Sequence, residues 1–268
     1  MGLNMQTLKI ALCQMRCEKG EIEKNLTTIE NYTKESCKRN IEIICFPEMS
    51  ITGYINPLKN TESILNLSSS PVNRILDLSK RYNVMIIAGF VEQNPSGKPF
   101  ITQIAAKNGE FVCVYRKLTI ADDEKEWFGP GKTDGIFTYK GINIGLTICA
   151  DIGNEGLFKR YSESDVAIVF ESAAPGLYGE QSSRNWQNGF NWWKNECYEK
   201  LGKYANNYGM YIAVSTQAGR TIDEDFPGGG YIFSPEGKCL SETKDWSEGI
   251  LYGEIEFPGI GGEGQSKE

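Results

Sequence analysis

A chain of 268 residues, 40% apolar and 24% charged, carries enough apolar surface for a full core in one large or two small domains. Its 28 basic residues stand against 35 acidic ones, a net charge of −7 that excludes the basic footprint demanded by nucleic acid or an anionic membrane. It has no histidine, which excludes Ser-His-Asp and Cys-His nucleophilic sites and Cys2His2 zinc sites, and leaves proton transfer to carboxylates or a lysine.

No apolar run approaches the roughly eighteen residues of a membrane helix. The N-terminal stretch, Met1-Gly-Leu-Asn-Met-Gln-Thr7, has no basic segment followed by an apolar one, so no signal peptide is expected. Cysteines stand at 13, 17, 37, 45, 113, 149, 197 and 239 and form no C-x-x-C pair. Without an export signal, reduced thiols in the cytoplasm are the expectation.

Residues 8–14 read as a buried strand. Residues 21–40 place Ile22, Leu26, Ile29 and Tyr32 or Thr33 at helical spacing. A second strand, 41–46, is ended by Pro47. Ser70-Pro71 reads as an N-cap and first helical residue, opening a helix to about Tyr82. A strand at 84–91 follows, then a turn-rich 94–99 and two strands, 101–107 and 110–116, joined by Asn108-Gly109, a strong hairpin signal. Residues 134–140 and 142–149 form a second hairpin-like pair, and 166–170 a strand. Residues 171–191 are polar and read mostly as loop; 192–207 read as helix and 210–216 as strand. Residues 230–233 and 250–257 frame a final hairpin around Pro235-Glu-Gly-Lys238. No linker or repeat divides the chain. The order predicts one domain over 1–268, with its core at about 8–257, built from a mixed sheet or two packed sheets covered by helices. The Gly-rich tail, 258–268, is expected to be mobile or a contact arm.

Three strand ends could carry chemistry. Pro47 breaks an apolar strand and Glu48 follows, so its carboxylate sits near the low-dielectric core. Desolvation there raises a carboxyl pKa and makes a base; the alternative is a capping or solvated glutamate. Lys117 leaves the end of 112–116, where its ammonium could bind an oxyanion or hold carboxylates together; the alternative is a surface lysine. Cys149 ends 142–149, and Ala150-Asp151 and the bend-forming Gly153-Asn154 lead into a short helix. A thiol so placed is held by rigid structure near outward-pointing backbone N–H groups, or is simply one more buried cysteine.

Together these stretches resemble the nitrilase, or carbon–nitrogen hydrolase, superfamily. The resemblance rests on Phe46-Pro-Glu48 with Gly53-Tyr54, on Tyr115-Arg-Lys117, on Trp127-Phe-Gly-Pro-Gly131 and on Gly145-Leu-Thr-Ile-Cys149-Ala-Asp151, in matching order from Leu8 to about Phe257. It implies a four-layer α-β-β-α sandwich of two mixed sheets flanked by helices, pairing as a homodimer or larger homo-oligomer. It also implies Glu48 as general base, Lys117 as oxyanion-stabilising lysine and Cys149 as nucleophile, with no metal or organic cofactor. A second glutamate belongs between lysine and cysteine. The commoner family spacing selects Glu124, and the spacing of some amidases selects Glu126; Glu124 is preferred.

The same resemblance points to hydrolysis of a small linear amide or N-carbamoyl compound through a thioester, with the Ala150 N–H as second oxyanion donor. Nitrile-cleaving members tend to have Trp-Glu after the cysteine; Ala150-Asp151 departs from that toward the amidase and carbamoylase branches, although Ala150 itself is unusual. Gly153-Asn-Glu155 replaces the usual Arg-Phe-Pro-Glu. Tyr54, Trp127, Tyr178 and Trp186 are candidates to line the substrate pocket, and Arg184 to read a substrate carboxylate. The rival expectations are a nitrilase, an ammonia supplier to a partner synthetase, and a catalytically silent binding or scaffold subunit.

Overall fold

Alternating apolar residues decide the architecture. In the computed structural model, which describes residues 5–258, β1 (Met5–Gln14) sends Ile10 and Leu12 to one face and Ala11 and Cys13 to the other, and all four are buried. A strand buried on both faces needs a layer on each side. The chain supplies one with α1 (Ile22–Cys37), which returns it to β2 (Ile43–Cys45), parallel to β1. The next helix, α2 (Ser70–Arg81), returns it to β3 (Met85–Glu92), parallel to β2. Two antiparallel strands follow, β4 (Phe100–Lys107) and β5 (Glu110–Arg116), joined at Asn108-Gly109, both with positive φ.

The second half repeats the logic. β6 (Gly135–Tyr139) and β7 (Ile142–Ile148) are antiparallel, and α3 (Glu155–Glu163) leads to β8 (Val166–Ala173), parallel to β7. Then come α4 (Trp186–Glu196), a π-helical turn at Cys197–Gly202 and α5 (Lys203–Tyr208), which return the chain to β9 (Tyr211–Thr216), parallel to β8. A small hairpin of β10 (Ala218–Arg220) and β11 (Asp225–Pro227) precedes β12 (Tyr231–Phe233) and β13 (Cys239–Glu242). The last strand, β14 (Gly249–Pro258), crosses to the first sheet and pairs antiparallel with β1 along its whole length.

The result is two six-stranded mixed sheets, ordered β14-β1-β2-β3-β4-β5 and β13-β12-β9-β8-β7-β6. Ile10, Leu12, Ile87, Leu146, Ile148 and Phe170 fill the space between them. Leu26, Ile29, Ile75 and Leu78 close the outer face of the first sheet; Leu157, Phe158, Trp193 and Leu201 close that of the second. These are the four layers α-β-β-α. Each fully buried Ile, Leu or Phe contributes roughly 1.5–3 kcal/mol of transfer free energy to holding them together.

Three readings of the sequence need correction. Residues 230–233 and 250–257 are not hairpin partners: the turn at Pro235-Glu-Gly-Lys238 joins β12 to β13, and 250–257 belongs to the other sheet. Residues 171–191 are not mostly loop, because β8 runs on to Ala173 and α4 begins at Trp186 rather than Trp192. Gly189 hid that helix start. A Cβ there would stand 2.6 Å from Leu177 Cδ1, so the glycine lets the preceding loop lie against the helix. At α2 the cap is Ser69, one residue earlier than expected. The tail beyond 258 lies outside the described residues. Among those described, no helix is long and apolar enough to cross a membrane, and all eight cysteines are free.

Candidate active site

Glu48, Lys117 and Cys149 follow the ends of β2, β5 and β7, and the packing of the two sheets brings all three to one place. Lys117 is the centre. Its ammonium is buried and donates to Glu48 Oε1 at 2.9 Å and to Glu124 Oε2 at 2.8 Å and Oε1 at 3.1 Å. Glu48 is wholly buried and also accepts from the Ala174 N–H at 3.0 Å. Glu124 accepts from the Ala121 N–H at 3.1 Å and from the Tyr54 hydroxyl at 2.5 Å. The turn that carries it holds Glu126 on the exposed side.

Electrostatics follow from this burial. Desolvation pushes Glu48 up to about 7, although the Lys117 ammonium and the Cys149 thiol pull it back down. Burial alone would lower the Lys117 pKa, but the two carboxylates outweigh it and hold the ammonium well above its ordinary range. Burial and the nearby carboxylates push the Cys149 thiol up, against the pull of Lys117. The resting site is therefore a protonated thiol beside a carboxylate that can take its proton near neutral pH.

Cys149 sits at φ 44°, the left-handed region that L residues avoid, at the head of a 3₁₀ turn, Cys149–Gly153. Asp151 holds this elbow. Its buried carboxylate accepts from the Ile148 N–H at 3.0 Å, the Thr119 N–H at 2.8 Å and the Tyr115 hydroxyl at 2.7 Å, tying β7 to the residues that follow β5. In the sequence Asp151 was legible only as a motif acid. Asp151→Ala leaves two backbone donors unpaired and should lower stability by about 3 kcal/mol in urea unfolding. A loss below about 1 kcal/mol would show that the elbow holds itself. Asn154 caps α3 by accepting from the Leu157 N–H at 3.3 Å.

A cavity of about 430 Å³ opens over the cluster. Tyr54, Trp127, Ala150 and Tyr178 all line it, with Lys117, Glu124 and Cys149. Trp186 does not: it stacks on Trp246, ring centroids 6.4 Å apart, under the Arg220 guanidinium. Trp192 lines the cavity instead, while Trp193 is buried and donates to Thr216 Oγ1 at 2.9 Å. Nor is Arg184 free to read a substrate. Its guanidinium pairs with buried Asp225 at 2.9 Å and donates to the carbonyls of Leu177, Tyr178 and Gly179. That clamp shapes the loop that forms one wall. Lys19, Lys59, Asp223 and Glu224 also line the cavity, and nothing local in the sequence marks them.

The carbon-nitrogen hydrolase family profile matches residues 9–262. The chain belongs to the carbon-nitrogen hydrolase family. This hydrolase is 27% identical over 258 residues to a glutamine-dependent NAD(+) synthetase of Acinetobacter baylyi, a match covering 94% of this chain and 45% of that protein. It spans about half the length of such synthetases. It is 24% identical over 252 residues to a 2-oxoglutaramate amidase of Bacillus subtilis, covering 92% and 90% of the two chains. An amidase of Nesterenkonia sp. AN1, a mutant structure of which carries the product of Michael addition of acrylamide at its active-site cysteine, shares the fold. Its TM-score is 0.77 at 19% identity, over 91% of this chain and 92% of that one.

Proposed function

We propose that this hydrolase is a cysteine-dependent amidase acting on a small linear amide or N-carbamoyl compound. The observation that carries the reading is the buried Lys117 ammonium bracketed by Glu48 and Glu124 on the cavity that Cys149 faces. In this reading Glu48 takes the thiol proton as sulfur attacks the carbonyl carbon. The C=O electron pair moves to oxygen, where Lys117 and the Ala150 N–H bind it. Glu48 returns the proton to nitrogen, the C–N bond breaks, ammonia or amine leaves and a thioester remains. Glu48 then deprotonates water, the new oxygen adds to the thioester, and the C–S bond breaks. Cys149 regains the proton as the acid departs. Glu124 keeps Lys117 placed and charged throughout, with Tyr54 behind it.

Amide rather than nitrile chemistry is supported by Ala150-Asp151 after the cysteine and by the charged cavity wall. An ammonia-release assay on matched amides, carbamoyl compounds and nitriles tests this. Amides or carbamoyl compounds should turn over at least about a hundredfold faster than the nitriles of the same skeleton; faster nitrile turnover would refute the amidase reading. A second reading, that the released ammonia passes to a synthetase, is favoured by one observation: the synthetase relatives match over most of this chain and less than half of their own length. Assembly as a homodimer through the face of α4 and the π-helical turn after it, where Trp192 and Tyr198 are exposed, belongs to the same proposal.

A further inference from the structure

Beyond Tyr54, another part of the cavity wall is built around one lysine. Lys19, in the segment between β1 and α1, places its ammonium 2.8 Å from Glu224 Oε2 and 2.6 Å from Asp223 Oδ1. The two acids stand on the tight turn between β10 and β11, closed by the Thr221 N–H donating to the Glu224 carbonyl at 2.8 Å. They differ in setting. Glu224 is largely covered, at 26% side-chain exposure, and its carboxylate is pressed on Gly176, where a Cβ would collide with it. Asp223 is 67% exposed and meets the ammonium from the solvent side. Lys19 itself is only 14% exposed.

Tyr54 sets the distance from this group to the reaction. The Lys19 ammonium lies 6.0 Å from the Tyr54 ring centroid, and the hydroxyl of the same ring is 2.5 Å from Glu124 Oε1. Lys19, over the ring face, and Glu124, at the hydroxyl, therefore flank one tyrosine side chain, a separation that a short aliphatic chain covers.

We propose that the substrate is an amide whose far end carries a carboxylate, and that Lys19 selects it, with Asp223 as the side chain that the substrate displaces. This deepens the amidase reading and rests on it. An exposed ion pair is weak, so exchanging Asp223 for a substrate carboxylate costs little. The inner pair with Glu224 stays intact, and the ammonium is never left alone. A substrate cation finds Glu224 committed to Lys19 and only the exposed Asp223 and Asp123 to pair with, where ion pairs are weak. Lys59, a second cation on the same cavity, has no ion-pair partner among the described residues and adds to the pull on an anion. Asp123, exposed on the cavity wall, is the one lining acid outside the Lys19 and Lys117 clusters.

The test uses three amides of similar length with the full chain: succinamate (anionic), butanamide (neutral) and 4-aminobutanamide (cationic). The kcat/KM ratio of the anion to the neutral amide should be about tenfold or more. It should fall to near one in Lys19→Met. Asp223→Asn removes the competing carboxylate at an exposed position, so the ratio should rise severalfold, and this variant carries the test should Lys19→Met not fold. A cationic amide preferred over the anion, or a ratio unchanged in the variants, overturns the assignment of Lys19 while leaving the amidase reading standing. Absence of ammonia release from all three amides, with release from other amides or carbamoyl compounds, overturns the assignment alone; release from nitriles only refutes the amidase reading and takes the assignment with it.

Discussion

Cys149→Ala is expected to abolish ammonia release, and Glu48→Gln to lower kcat by about 10³-fold or more, with both proteins still folded. The first removes the proposed attacking atom. The second keeps the shape and the hydrogen-bond acceptor but removes the only wholly buried carboxylate that both Lys117 and the Ala174 N–H address. Glu124 remains as counter-ion to Lys117 in that variant, so the fold should lose only about 1–2 kcal/mol. The wild-type kcat/KM should rise with pH through about 7, where Glu48 loses its proton and becomes a base. Activity in either variant above a tenth of wild type, measured as ammonia release beside a circular-dichroism check of the fold, would remove these residues from the mechanism.

Lys117→Met should be the most destabilising change at the site, by about 3–5 kcal/mol at pH 8. It leaves Glu48 and Glu124 buried and facing each other without their shared cation. The loss should shrink as the medium is acidified, and the sign follows from linkage. Glu48 already has a folded pKa raised above its unfolded value, so its stabilising contribution is complete below about 4.5 and is lost as pH rises through about 7. Removing the ammonium raises the folded pKa further and extends that loss to higher pH. Urea unfolding at pH 5 and pH 8 measures it, and a stability loss equal at both values would show that the carboxylates do not depend on Lys117 for their charge.

Much of the site was legible in the sequence because its parts sit where regular structure stops. Pro47 announces the end of a strand just before Glu48, and the Gly153-Asn154 bend follows soon after Cys149. Lys117 is polar where an apolar strand runs out. The second glutamate was legible only as a choice. Glu124 and Glu126 lie two residues apart in an acidic loop, and spacing favours Glu124 without excluding Glu126. The structure separates them, because a turn in which the N–H groups of Trp127 and Phe128 both reach the Glu124 carbonyl buries Glu124 and leaves Glu126 outside.

Arg184 shows the opposite case. A lone arginine in a polar loop near the substrate invites a binding role, and only the position of Asp225, forty-one residues later, spends its guanidinium on the fold. Trp186 and Trp192 differ in the same way. Both are aromatic and near the right loop, but α4 begins early enough to turn one toward Trp246 and the other toward the cavity.

By itself, the sequence determined the kinds of residue available and the strand ends that present them: a thiol, a carboxylate and a lysine, in a chain with no histidine to do their work. Those are local properties, set by apolar runs, prolines and bends. The tertiary structure decided which distant pieces meet. The last strand pairs with the first, across nearly the whole chain, rather than with its neighbour. Lys19 meets Glu224 across 205 positions. Such pairings follow from the closure of two sheets on one core, and no local spacing encodes them.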